Sequence, residues 1–194
     1  MFRPPLNRKT LAAVACAFAA SFGMVSTASA ATASETVTAG SLSFIGGTPG
    51  NIAFPGVTLN GSDQVKTQTQ AFDVSDATGS NSGWAITATS TTFTAGGTHT
   101  LSNTATTIQS APTDTCDASS TCTLATNSIS TPYVLPAGTT APTATKMFNA
   151  AAGTGMGNQT ITPTWSLAIP STTWAGGAGS PYTSTWTFTL VSGP

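Results

Sequence analysis

Few side chains in this sequence could carry out acid–base chemistry. The chain has six acidic residues and one histidine, His99, which lies in a glycine-rich GGTHTL turn. General acid–base catalysis needs titratable groups held against a substrate, and a lone histidine in such a turn is most often solvated. No GxSxG nucleophile elbow occurs, and Asp73 and Asp76 lie too close together in the chain to flank a substrate as acid and base. The sequence therefore predicts no catalytic residue and no enzyme activity.

Metal and phosphate sites have equally little support. Asp63, Asp73 and Asp76 offer the oxygen ligands that calcium prefers, but they lack an ordered DxDxD spacing, and a calcium site stays an open alternative. The glycine-rich segment 153–157 follows no βα unit and precedes no lysine, so we interpret it as a turn rather than a phosphate loop. We predict no metal site and no cofactor.

The charge pattern excludes two classes of partner. After residue 30 the only basic side chains are Lys66 and Lys146. A protein that binds nucleic acid or an anionic lipid surface needs a cluster of such charges. We therefore expect neither partner.

The N-terminus has the pattern of an export signal. A basic start, MFRPPLNRKT, is followed by an apolar stretch over residues 11–25 and by the small-x-small tripeptide Ala28-Ser29-Ala30. The apolar stretch is too short and too often interrupted to span a membrane. We predict a signal peptide over residues 1–30, no integral membrane anchor, and a single secreted domain over residues 31–194.

The cysteines are consistent with an exported protein. One of the three lies in the predicted signal, and Cys116 and Cys122 lie in the polar segment TDTCDASSTC. In an exported chain such a pair most simply forms a disulfide. A metal or redox pair, the alternative, would favour CxxC spacing and further ligands.

Short runs that alternate apolar and polar residues predict strands with their large side chains on one face. The runs are centred on Leu42 and Phe44; Phe72 and Val74; Trp84, Ile86 and Ala88; Trp165, Leu167 and Ile169; and Trp186, Phe188 and Leu190. Turn signals separate them, among which Asn60-Gly61 is the strongest because both residues tolerate the positive φ of a tight hairpin. The pattern predicts an all-β fold, an antiparallel β-sandwich of Greek-key or immunoglobulin-like type. Residues 98–145 are poor in large apolar side chains, and we expect long loops around two or three short strands, or partial disorder.

Tryptophan is the residue type in this sequence that could form a ligand-binding surface. Trp165 and Trp186 are expected to fill the core, since their spacing is strand-like. One or two of the four tryptophans could instead face a glycan, because exposed rings on β-surfaces stack on sugars.

Two motifs resemble those of the WxL-domain surface proteins of Gram-positive bacteria, a family named for Trp-x-Leu. The first is DVSDATGSNSGWAIT, in which Trp84-Ala85-Ile86 stands for Trp-x-Leu and Asp76 matches an upstream acidic position. The second is YTSTWTFTLVSGP, which carries the family's distal spacing. The matched positions there are Tyr182, Thr187, Leu190 and Pro194, while Trp186 replaces an aliphatic residue and Phe188 replaces the second tryptophan.

The resemblance implies a non-enzymatic surface protein that binds the cell wall non-covalently, to peptidoglycan or another wall glycan, together with companion surface proteins. It implies a ligand-binding role for Trp84, Ile86 and Asp76, with adjacent Ser and Thr residues. The distal residues Tyr182, Trp186, Phe188, Leu190 and Pro194 are expected to serve as motif and core. The alternative is a structural subunit of a pilus, sheath or other surface assembly, because charge-poor, Thr-rich β-domains can polymerise through exposed edges.

Overall fold

The computed structural model describes residues 30–194. The predicted export signal therefore lies outside the described residues, apart from Ala30. Residues 30–36 are exposed and have no regular structure. The chain from Val37 to Pro194 forms one compact unit.

The described residues form β-strands and no helix, as the alternating runs predict. Since no helix is present in residues 30–194, none there could serve as an apolar membrane span. The strands are β1 Leu42–Phe44, β2 Gln64–Thr69, β3 Phe72–Asp76, β4 Trp84–Thr91, β5 Thr94–Ala95, β6 His99–Thr100, β7 Thr106–Ile108, β8 Thr113–Cys116, β9 Tyr133–Val134, β10 Ala137–Gly138, β11 Thr145–Ala150, β12 Gly157–Thr162, β13 Thr164–Ile169 and β14 Trp186–Ser192.

Two of the sheets are connected by two pairs of strands that follow each other in the chain. One sheet has the order β1-β3-β12-β8 and the other has the order β2-β13-β7-β9. Strands β2 and β3 follow each other directly along the chain, as do β12 and β13, and the bend in the second pair falls at buried Pro163. Proline cannot donate a ladder hydrogen bond, so it suits a position where one strand ends and another begins. The N–H of Gln70 bonds to the Pro163 carbonyl across the bend, at 3.2 Å.

The third sheet is built around β4, which pairs antiparallel with β11 on one side and with β14 on the other. The short strand β10 adds the only parallel pairing among the strands of residues 30–194. The inner face of β14 contacts the other two four-stranded sheets: the Phe188 ring lies 4.8 Å from that of Phe72, and the Trp186 ring lies 4.9 Å from that of Trp165, both edge-on. These contacts between sheets make the all-β, sandwich-like fold that the sequence predicts.

All five alternating runs are strands, with the predicted side chains inward. Trp84, Ile86, Trp165 and Phe72 are fully or almost fully buried, and the large side chains of β14 pack against them. Asn60-Gly61 does bend the chain, with φ 84° at Gly61. It joins no hairpin, however, because β2 pairs with β13 and the preceding β1 pairs with β3.

The segment 98–145 contains more regular structure than expected. Five short strands, β6 to β10, begin and end within it. Three of them, β8, β9 and β10, lie at the edges of larger sheets, β7 lies between β13 and β9, and β6 pairs with β5 in a separate two-stranded sheet. Cys116 and Cys122 form the predicted disulfide, with their Cα atoms 5.6 Å apart.

Candidate functional site

The first motif tryptophan is an interior residue. Trp84 has no exposed surface, and its indole N–H donates a hydrogen bond of 2.8 Å to the carbonyl of Gly155. Ile86 is also fully buried, and Asp76 is 5% exposed. Trp84 and Ile86 have no accessible surface with which to contact a glycan strand in this conformation, and the ligand-binding role of the three residues stays a prediction. Their role in this conformation is to organise the core.

Gly155 explains why a glycine-rich segment faces Trp84. Its φ is +77°, and a Cβ there would lie 2.7 Å from Nε1 of Trp84 and would also collide with the Cβ of Ala150. Only glycine satisfies both the left-handed backbone and the close approach of the ring. The segment is thus a turn, as predicted, and it supplies the hydrogen-bond acceptor for the buried indole.

Asp76 fixes the loop that leads to Trp84. Its Oδ1 accepts hydrogen bonds from the backbone N–H of Thr78 at 3.1 Å and from the Thr78 hydroxyl at 2.6 Å. The hydroxyls of Ser80 and Ser82 continue this chain of hydrogen bonds toward β4. An Asp that bonds to the backbone two residues later stabilises a turn. The acidic position of the motif therefore shapes the approach to the tryptophan.

The two motifs lie side by side. In the β4–β14 ladder, Leu190 is opposite Ile86 and Phe188 is opposite Ala88. Directly opposed residues of an antiparallel pair share a face, so the apolar residues of both motifs form one inward surface. The small side chain of Ala88 leaves room for the Phe188 ring. At the end of the distal motif, exposed Pro194 accepts a hydrogen bond from Lys146 Nζ through its carbonyl.

A cleft opens where the distal motif begins, which we call the aromatic cleft. Its volume is about 430 Å³. Aromatic side chains form part of its wall, and polar or small residues complete it. The lining residues are Thr48, Pro49, Gly50, Asn51, Ile52, Phe93, Tyr182, Thr183, Ser184, Thr185, Trp186 and Phe188. Trp186 thus connects the core to the surface, since its ring contacts buried Trp165 and also lies 6.2 Å from Phe93.

A second cleft, the hydroxyl cleft, shares the segment Thr183–Thr185 with the first. Its volume is about 600 Å³. The other lining residues are Thr91, Thr92, Thr94, Gly97, Thr100, Asn103 and Thr139. Backbone hydrogen bonds hold the shared segment rigidly: Thr183 and Thr94 exchange two, at 2.9 and 3.0 Å, and the N–H of Thr91 donates to the Thr185 carbonyl at 2.9 Å.

The chemistry of the two clefts is uniform. Among the described residues that line either one, none carries a charge at neutral pH. Hydroxyl and amide groups can both donate and accept hydrogen bonds, and aromatic rings offer an apolar face. Such a surface suits a polar, uncharged ligand that has apolar faces.

Sequence reasoning did not identify several of these residues. Phe93 and the loop 48–52 stand outside the alternating runs, and only tertiary folding brings them to Tyr182. Trp174 is 40% exposed and stacks on His99, with the rings 4.2 Å apart and 7° from parallel. Its position in the glycine-rich WAGGAG segment, outside any strand pattern, was the available signal that this tryptophan is the exposed one.

The acidic residues do not assemble into a site. Asp63 accepts a hydrogen bond from the N–H of Ser171, and Asp73 and Asp117 both contact the hydroxyl of Thr160. Within residues 30–194, no three His, Cys, Asp or Glu side chains lie close enough to hold a metal ion. Burial raises the pKa of Asp114 and of Tyr133, and neither residue lines the clefts.

The two strands that carry the WxL-like motifs, β4 and β14, pair with each other. A family model described as "WxL domain surface cell wall-binding" matches residues 17–194. The chain therefore belongs to the WxL domain family, whose members are cell-wall-binding domains of the cell surface. Neither curated proteins nor solved structures gave a match.

Proposed function

We propose that the chain is an exported, non-enzymatic domain that binds the glycan of peptidoglycan non-covalently through the aromatic and hydroxyl clefts. The proposal rests on the pair of adjoining, uncharged clefts at the start of the distal motif. The family's wall-binding description gives the ligand its general class.

Sugar rings match this lining. The C–H groups on the face of a pyranose are apolar and pack against the electron-rich face of an aromatic ring. The ring's equatorial hydroxyls and acetamido groups need hydrogen-bond partners, which the threonines and Asn103 provide. An uncharged lining also avoids the cost of desolvating an unpaired ion when the glycan displaces water.

The proposal is tested by co-sedimentation of residues 31–194 with purified Gram-positive sacculi. Sacculi from which acid treatment has removed the anionic wall polymers distinguish peptidoglycan from those polymers. We expect equal binding to both preparations. Binding that disappears after acid treatment, or a protein that stays in the supernatant with both, overturns the proposal.

A matched pair of variants locates the contact. Thr183 is exposed and lies in the wall common to both clefts, and its backbone makes the bonds to Thr94. Thr183→Gln adds uncharged bulk there without breaking those bonds, and we expect about tenfold weaker binding, or about 1.4 kcal/mol. Thr189→Gln makes the same change at an exposed position of β14 outside the clefts. Equal affinity of the two variants would contradict binding at the clefts.

Assembly into a polymer is the competing function. The edge strand β2 is one surface where this could happen, since only one of its sides pairs, with β13, and Val65 is 61% exposed. Lys66 sits within this strand, and a lysine on an edge strand opposes pairing with another chain. The family's wall-binding description further favours binding over assembly. Light scattering over a range of concentrations should show a monomer, whereas growing fibres would favour the subunit function.

A further inference from the structure

Trp174 is an exposed ring in a fixed position. All four tryptophans lie in the described part of the chain: two are fully buried, Trp186 is partly buried, and Trp174 is 40% exposed. An exposed indole normally moves among rotamers, and ordering it on binding costs free energy. Here three contacts order it in advance.

The first contact is the parallel stack on His99, at 4.2 Å. The second is the hydroxyl of Tyr182, which donates a hydrogen bond of 3.2 Å to the backbone carbonyl of Trp174 and so fixes the main chain that carries the ring. The third is Gly176, where a Cβ would collide with Cζ3 of the indole. The loop can therefore close against the edge of the ring only because residue 176 has no side chain.

These anchors connect the ring to both clefts. Tyr182 lines the aromatic cleft, and Gly97 and Thr100, on either side of His99, line the hydroxyl cleft. One anchor of Trp174, Tyr182, thus belongs to the aromatic cleft, and a second, His99, lies next in the chain to a residue of the hydroxyl cleft. A core-filling role does not account for an indole that keeps this much exposed surface while its orientation is fixed.

The structure assigns Trp174, stacked on His99, as an aromatic platform for a pyranose ring of the glycan next to the units held in the clefts. This inference rests on the proposed function and extends it, because the site would then cover consecutive sugar units of an uncharged chain. The class of ligand follows from the chemistry of the surface. The Trp174 platform offers an apolar face, and the adjoining clefts offer uncharged hydroxyl and amide groups.

Two measurements test the platform. The first is affinity for acid-treated sacculi. Trp174→Ala should weaken binding about two- to tenfold, the range of one aromatic stacking contact, and Trp174→Phe should retain most of the affinity. Val65→Ala is the control, since it removes exposed apolar surface at the distant edge of β2. Thermal melts should show that all three variants fold as the parent does, because both positions are exposed.

The second measurement is acrylamide quenching of tryptophan fluorescence with a soluble tetramer of N-acetylglucosamine as the probe. Trp174 is the most accessible tryptophan, so the tetramer should reduce quenching in the parent protein, and this protection should be absent in Trp174→Phe. If the tetramer gives no protection, or if Trp174→Ala binds sacculi as the parent does while Thr183→Gln does not, the platform is wrong and the proposed function stands. If the parent itself fails to bind sacculi, the proposed function fails, and the platform with it.

Discussion

The contact between Gly155 and Trp84 gives a sharp prediction about the first motif. An Ala side chain at residue 155 would place Cβ 2.7 Å from Nε1 of the indole, on a backbone with φ +77°. A left-handed backbone costs an ordinary residue about 1–2 kcal/mol. Inserting a methyl group into a packed interior costs about 1–3 kcal/mol more. We expect Gly155→Ala to reduce the free energy of unfolding by about 2–5 kcal/mol.

Gly153 supplies the control within the same turn. Its φ is +79°, nearly the same as that of Gly155, but a Cβ there meets nothing within 4 Å. Gly153→Ala therefore bears the backbone cost without the collision. The loss of conformational freedom in the unfolded chain is the same for both substitutions and cancels between them. The difference between the two variants, about 1–3 kcal/mol, measures the collision with the Cβ of Ala150 and the ring of Trp84 together.

Urea unfolding of residues 31–194, followed by tryptophan fluorescence, provides the measurement. The midpoint should shift much further for Gly155→Ala than for Gly153→Ala, with similar slopes. In a Trp84→Phe background, which lacks the Nε1 atom, the excess should shrink, as a double-mutant cycle would reveal. Equal destabilisation by the two alanines would refute the conclusion that the glycine-rich turn exists to receive the motif tryptophan.

Three further outcomes are expected. Trp84→Phe should cost about 1–3 kcal/mol in urea unfolding from the unpaired Gly155 carbonyl alone, and an unchanged midpoint would show that the bond contributes nothing. Deleting residues 181–194 removes β14 from the full ladder with β4 and should abolish cooperative melting, whereas a truncated chain that melts like the full one would contradict this. Burial raises the pKa of Asp114 above its ordinary value of 3.8, so its contribution to stability grows as the pH falls from neutral through the raised pKa and levels off below 3.8. Asp114→Asn should therefore flatten the acid side of the stability profile measured by thermal melts, and identical profiles would refute this assignment.

The strands of the motifs could be predicted because their information is local. In β4 and β14 the large apolar residues alternate with Thr or Ala, and a period of two is enough to assign both the strand and its inward face. The disulfide could also be predicted from the sequence, since Cys116 and Cys122 are the only cysteines beyond residue 30.

The role of Trp84 could not be decided in the same way. A buried tryptophan and a ligand-binding tryptophan can have the same spacing in a strand. Whether the ring is buried or exposed depends on what covers that face of the sheet. Trp84 is enclosed by Phe148 of the neighbouring strand β11, whose ring lies 5.9 Å away, and by the Gly155 turn. Both come from distant parts of the chain.

The sequence by itself determined a charge-poor all-β domain with an N-terminal export pattern and two WxL-like motifs, because composition and local periodicity carry these features. Only the tertiary structure decided that the motifs pair as neighbouring strands and that the first tryptophan is buried. It also decided that the uncharged clefts form at the start of the distal motif, where residues 48–52, Phe93 and Tyr182 meet. Such long-range contacts depend on which sheets pack together, and no local pattern encodes that choice.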